Sequence, residues 1–139
     1  MGKISRFGVS LETSLLKKFD PLLKNLGYKS RSEAIRDLIR EKLVAEEWSV
    51  GDFKTIGVLS LVYNHHMREL SEALNMVQHK NLDLVISVTH IHVDRHNCLE
   101  VIILKGKNNQ IKEVSDELLS TRGVKHGKLI MTTTGSQID

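Results

Sequence analysis

Asp83-Leu84-Val85-Ile86-Ser87-Val88-Thr89-His90-Ile91-His92-Val93 and Cys98-Leu99-Glu100-Val101-Ile102-Ile103-Leu104 flank the polar tetrapeptide Asp94-Arg95-His96-Asn97. The two stretches read as strands at about 83–93 and 98–104 joined by a turn. Upstream, Thr55-Ile56-Gly57-Val58-Leu59-Ser60-Leu61-Val62-Tyr63-Asn64 reads as a further strand. A helix at about 67–80 follows, with Leu70, Ala73, Leu74 and Val77 on one face. Downstream, Ile111, Val114, Leu118 and Leu119 mark a helix at about 108–122, and a last strand runs about 124–133. The order βαββαβ is that of the split βαβ, ferredoxin-like unit. It assigns residues 54–139 to one α+β domain.

The residues before it follow another pattern. Ile4-Ser5-Arg6-Phe7-Gly8-Val9-Ser10-Leu11 alternates apolar and polar from Phe7 onward, the period of a half-buried strand, with Arg6, Gly8 and Ser10 pointing outward. Leu15, Leu16, Phe19, Leu22, Leu23 and Leu26 continue at helical spacing. Pro21 requires either a kink there or a second short helix capped by Asp20. Gly27 is a natural helix stop. Ser30-Arg31-Ser32-Glu33 is a capping box opening a helix with Ala34, Ile35, Leu38, Ile39 and Leu43 on one stripe. Strand–helix–helix over residues 1–46 is too small to bury a core alone, and a lone strand leaves both edges bare. Two copies pairing these strands antiparallel resolve both problems. Residues 47–53 read as a linker carrying an aromatic anchor.

Composition narrows the class. The chain has 139 residues, 40% apolar and 27% charged, which is globular rather than disordered. No apolar run approaches a membrane span, and one cysteine excludes an internal disulfide framework. MGKISRFGVS lacks the apolar centre of a signal peptide, so the expected compartment is the cytoplasm. The net charge of +3 is uneven: residues 1–42 hold ten Lys/Arg against five acids, and residues 51–139 hold ten of each. An electropositive module on a neutral one points to nucleic acid. A two-stranded ribbon fits the major groove, where Arg6 would reach guanine and Ser10 bases or backbone. The N–H groups opening the helix at Arg31, Ser32 and Glu33 would grip phosphate.

His90 and His92 leave the same face of their strand, and the turn brings Cys98 back beside them. His79, ending the preceding helix, is a fourth candidate. Three nitrogens and one sulfur suit nickel, copper, zinc or cobalt, not magnesium or calcium. Spacing alone leaves square-planar and tetrahedral arrangements open. A solvated strand face and a small core cysteine give the same spacing. A nucleophilic Cys98 ranks below a metal ligand, since no glycine- or hydroxyl-rich anion hole accompanies it.

Taken together the motifs resemble one family. Gly27-Tyr28 followed by Arg31-Ser32-Glu33-Ala34-Ile35-Arg36-Asp37 resembles the ribbon-helix-helix half of the nickel-responsive transcriptional regulators. His90-Ile91-His92, His96-Asn97-Cys98-Leu99-Glu100, Gln78-His79 and Arg122-Gly123-Val124-Lys125-His126-Gly127 resemble their ACT-like metal-binding half. The resemblance spans about residues 4–132. It implies Ni(II), one ion per subunit, held in a square plane by His90, His92 and Cys98 with His79 of a neighbouring subunit, and supported from behind by Glu100. It further implies a homotetramer, a dimer of dimers, whose ribbon-helix-helix pairs bind a palindromic operator and repress nickel-uptake genes. Glu33 and Asp37 match positions that hold a second cation between the two domains. Metal would order the segment 65–80, from which Arg68 adds a phosphate contact. Neither a membrane nor a small organic substrate is expected, and no enzymatic activity. Gly8 stands where relatives can carry a base-contacting hydroxyl, shifting readout toward Arg6 and Ser10. His65 and His66 are extra imidazoles, suited equally to helix entry or an accessory metal site. The alternatives are an antitoxin-type ribbon-helix-helix repressor and a nickel or copper buffer protein without metal-dependent DNA binding.

Overall fold

The computed structural model describes residues 2–139, so residue 1 of the expected 1–46 module lies outside the described residues. The chain divides into two compact units: one reaches Leu43 and includes Ile138–Asp139, and the other is Val44–Gln137.

The first unit is helical. α1 (Thr13–Asn25) runs on through Pro21, so neither a second short helix nor an Asp20 cap forms. Pro21 removes one amide donor, which the rest of the helix tolerates. Asp20 instead takes a two-pronged ion pair from Arg31, with Nε–Oδ1 2.9 Å and Nη2–Oδ2 2.7 Å. Gly27, at φ 84°, ends α1 in a Schellman turn: its N–H donates to the Lys24 carbonyl and that of Tyr28 to Leu23. α2 (Arg31–Ser49) then opens on the Ser30 cap, whose Oγ accepts the Glu33 N–H at 3.2 Å. Glu33 reaches back to the Lys29 N–H, one residue before the capping serine.

Residues 2–12 carry no strand ladder. A strand needs a row of amides and carbonyls opposite it, and this unit offers only helices. Ile4, Phe7, Val9 and Leu11 are therefore 92%, 71%, 59% and 47% exposed, and Leu15, Leu22, Leu26, Leu38 and Leu43 are exposed as well. Among the described residues before Val44, Leu23 and Ala34 alone are buried. The unit has apolar surface for a core but nothing of its own to pack against it.

The second unit is a four-stranded antiparallel sheet in the order β2-β3-β1-β4, with β1 (Lys54–Asn64), β2 (Val85–His92), β3 (Asn97–Lys107) and β4 (Val124–Met131). α3 (Arg68–Lys80) and α4 (Asn108–Leu119) complete the βαββαβ order. Thr55, Gly57, Leu59, Leu61 and Tyr63 of β1 alternate inward, as do Cys98, Glu100, Ile102 and Leu104 of β3. Leu70, Leu74, Ile111 and Leu118 of the two helices join them in one core. Gly57 is required there, since a Cβ would stand 2.9 Å from a methyl of Ile111. β2 is an edge strand, exposed almost throughout.

The linker expected over residues 47–53 is helical as far as Ser49. Its terminal carbonyls are taken up from afar: Asn108 Nδ2 donates to Glu47 and Trp48, and Lys112 Nζ to Trp48. The anchor Trp48 is buried, with its indole N–H on the Thr132 carbonyl at 2.8 Å.

Candidate metal centre

Strand register builds the site. β3 pairs with β2 so that Cys98 faces His92 and Glu100 faces His90. It pairs with β1 so that Cys98 faces Tyr63 and Glu100 faces Leu61. Because side chains alternate, Tyr63, Cys98, His92, Glu100 and His90 all leave one face of three adjacent strands.

The sulfur is at the centre. Cys98 Sγ lies 3.1 Å from His90 Nε2 and 3.6 Å from His92 Nδ1, and the residue is fully buried. Burial pushes its thiol up from the ordinary cysteine range, and the nearby Glu100 and Asp94 carboxylates push the same way. A neutral thiol there must lose its proton to become a ligand.

Glu100 is buried with both oxygens occupied: Oε2 accepts from the Tyr63 hydroxyl and Oε1 from Gln78 Nε2, each at 2.6 Å. The Tyr63 oxygen also lies 3.5 Å from His90 Nδ1. Burial first, then Glu100, raises the phenol well above its usual range, so Tyr63 acts as a neutral donor. A carboxylate–tyrosine–imidazole chain of this kind orients a ligating ring.

Two residues enter beyond the expected ligand set, Tyr63 unforeseen and His65 foreseen only as an extra imidazole. His65, with His92 and Cys98, offers three donor atoms all within 4.8 Å of one another. Tyr63 stands on the inward face of β1, and His65 follows in the turn just after Asn64, so the period-two spacing of Leu61, Tyr63 and His65 in the sequence was the available signal. His79, in the last turn of α3, is exposed, and among the described residues no hydrogen bond or ring contact links it to the sulfur. Its neighbour Gln78 does reach the site, through Glu100.

The residues expected at DNA have their own settings. Arg6, Gly8 and Ser10 are exposed in the N-terminal stretch, which has no regular secondary structure. Arg31 is engaged by Asp20, and the Glu33 N–H by Ser30, leaving the Arg31 and Ser32 N–H groups as the free donors of that helix start. Arg68 pairs with Glu72 at 3.3 Å on the exposed face of α3. Of the carboxylates expected at a second cation, Asp37 accepts the Tyr28 hydroxyl at 2.7 Å and Glu33 the Lys29 N–H.

Two exposed imidazoles converging on one buried cysteine sulfur fit a nickel-type ion and do not fit magnesium or calcium. Comparison with known proteins agrees. Residues 56–132 match the family described as the NikR C terminal nickel binding domain, and residues 5–46 match the ribbon-helix-helix protein, copG family. A protein of Geobacter sulfurreducens is 54% identical over 99% of both chains. One of Pyrococcus furiosus is 51% identical, covering 97% of this chain and 98% of its own. One of Caldanaerobacter subterraneus is 53% identical, covering 97% of this chain and 88% of its own. Each bears the name "Putative nickel-responsive regulator". A solved structure of an uncharacterized protein from Thermotoga maritima shares the fold, at TM-score 0.51 and 19% identity over 55% of this chain and 95% of that one.

A ribbon-helix-helix module joined to a nickel-binding domain defines a metal-responsive transcriptional regulator, not an enzyme. The chain belongs to the NikR family of nickel-responsive regulators. Among the described residues no helix is long and apolar enough to cross a membrane.

Proposed function

We propose that this protein is a nickel-dependent repressor, working as a homotetramer that binds a palindromic operator controlling nickel uptake. His90, His92 and Cys98 would hold one Ni(II) per subunit, with His79 of a second copy as the remaining donor. The observation that carries this reading is the convergence of two imidazoles on a buried sulfur beside a carboxylate tied to α3. A bound Ni(II) supplies the link that joins donors from two copies.

The residues do the rest. Tyr63 and Glu100 hold the His90 ring, and Gln78 ties the end of α3 to the same carboxylate, so the turn carrying His79 has a fixed starting point. Once His79 is engaged across copies, α3 loses freedom, and orientations of the DNA-binding helices that do not suit the operator lose population. A coupling of about 1–3 kcal/mol between metal and DNA is ordinary for such linkage. Arg6 and Ser10 would read the groove from a ribbon of two paired strands. The Arg31 and Ser32 amides, with Arg68, would contact phosphate.

The test is a titration of promoter DNA from nickel-uptake genes with and without Ni(II), on wild type and on Cys98→Ala. Wild type should bind at least about fivefold tighter with the metal, and the variant should show no such gain. Nickel binding with unchanged DNA affinity would make the protein a metal buffer and reject the repressor reading.

A further inference from the structure

Residues 47–53, which the sequence offers as a linker, are bridged by one side chain. Asn108 opens α4 and is 1% exposed. Its Nδ2 donates to the carbonyls of Glu47, at 2.9 Å, Trp48, at 3.1 Å, and Val50. Its Oδ1 accepts the Phe53 N–H at 3.3 Å, and its own N–H donates to the Phe53 carbonyl at 2.8 Å. One residue thus ties the end of α2 to the residue just before β1. The last turn of α2 has little of its own to keep it there. The final carbonyls of a helix have no partners inside it, and a basic side chain nearby would favour that end. This turn contains no basic residue. Glu47 is buried in it, with neither carboxyl oxygen hydrogen-bonded among the described residues. The donors to its carbonyls come from α4, from Asn108 and from Lys112 Nζ.

We propose that Asn108 is a positioning residue that couples the metal centre to DNA, by making the last turn of α2 part of the metal-binding unit. This deepens the repressor reading and rests on it. The boundary between the two compact units, at Leu43 and Val44, falls inside α2 and not after it. The same helix opens at Arg31 and Ser32, whose amides are proposed to meet phosphate. A slack tether passes on none of the order that a metal brings, whereas a continuous helix anchored at one end does. Without Asn108 the carbonyls of Glu47 and Val50 lose their side-chain donor, the turn that buries Glu47 unwinds, and residues 47–53 become the tether the sequence suggests. Nickel still binds beside Cys98, but its effect stops at the start of β1. The side-chain partners of Asn108 are Glu47, Trp48, Val50, Phe53 and Asn109, none of them a metal donor or a residue expected at DNA.

The experiment measures Ni(II) affinity by chelator competition, and promoter DNA affinity with and without Ni(II), on the full chain and on Asn108→Ala. Trp48, the only tryptophan in the chain, reports on the clasp itself through acrylamide quenching of its fluorescence. In Asn108→Ala the metal-dependent gain in DNA affinity should drop from at least about fivefold to below about twofold. Ni(II) affinity and metal-free DNA affinity should each stay within about threefold of wild type, since both binding surfaces are untouched. Quenching of Trp48 should rise at least about twofold as the turn opens. Retained Ni(II) binding shows that the variant is folded. A full metal-dependent gain in Asn108→Ala, or unchanged quenching, overturns the proposal and leaves the repressor reading standing. Loss of Ni(II) binding in the variant overturns it too, because Asn108 would then support the fold and not the link. Absence of any metal-dependent gain in wild type overturns the repressor reading itself.

Discussion

At the scale of single residues, the Tyr63 hydroxyl has the most consequence for its size. It donates to buried Glu100 and touches His90. Tyr63→Phe leaves a buried carboxylate oxygen unpaired, which should cost about 1–3 kcal/mol of stability in urea unfolding. Nickel affinity should fall about 10–100-fold, as for other groups that orient a ligand. The raised Cys98 thiol sets a second expectation. A proton competes with the metal for the sulfur, so the affinity rises with pH and falls as the solution is acidified. Nickel titrations between pH 7 and 8.5 should show a gain of up to about tenfold per pH unit. A flat profile would mean that the sulfur is not a ligand. His90, His92 and Cys98 were legible from their spacing, because a strand has period two and a four-residue turn fixes the return. Tyr63 was not, since its place beside Cys98 depends on strand pairing between residues 35 positions apart in the chain.

At the scale of elements, α2 shows what local pattern can and cannot reveal. Its start was readable from Ser30 and Glu33, because a cap is a contact between neighbours in sequence. Its end was not, because the carbonyls of Glu47 and Trp48 are satisfied by Asn108, some 60 residues away. The stretch at 4–11, expected to pair with the same stretch of a second copy, forms no ladder here, because one chain holds no partner for it. At the head of α2, Arg31 is held by Asp20, whose carboxyl the guanidinium keeps below the usual carboxylate range. Asp20→Ala releases that guanidinium beside the amides expected to meet phosphate and removes a competing negative charge. Promoter DNA should then bind about two- to fivefold tighter, with nickel affinity unchanged. Weaker DNA binding in filter or gel-shift assays would show that Asp20 positions Arg31 for its contact.

At the scale of the whole molecule, the two units differ in self-sufficiency. Val44–Gln137 closes a core around Leu59, Leu61, Ile102 and Leu104, whereas the helical unit leaves Phe7, Val9 and Leu11 in the open. The ribbon proposed for DNA binding would cover those side chains with a second copy. Phe7→Asp places a charge on that seam, so promoter binding should be lost while nickel stoichiometry per chain is kept. Loss of both would mean that the seam also assembles the metal centre. DNA affinity of the wild type should fall steeply with salt, because phosphate contacts release counterions.

The lone thiol, sunk between two rings on the underside of an edge hairpin, also keeps time. A small alkylating reagent can mark it only in moments when the hairpin lifts, so the labelling rate of metal-free protein measures how often the gateway opens. Nickel entry can be no faster than that opening, and bound nickel should slow the marking further. One slow chemical modification thus reports both the breathing of the sheet edge and the arrival of the ion.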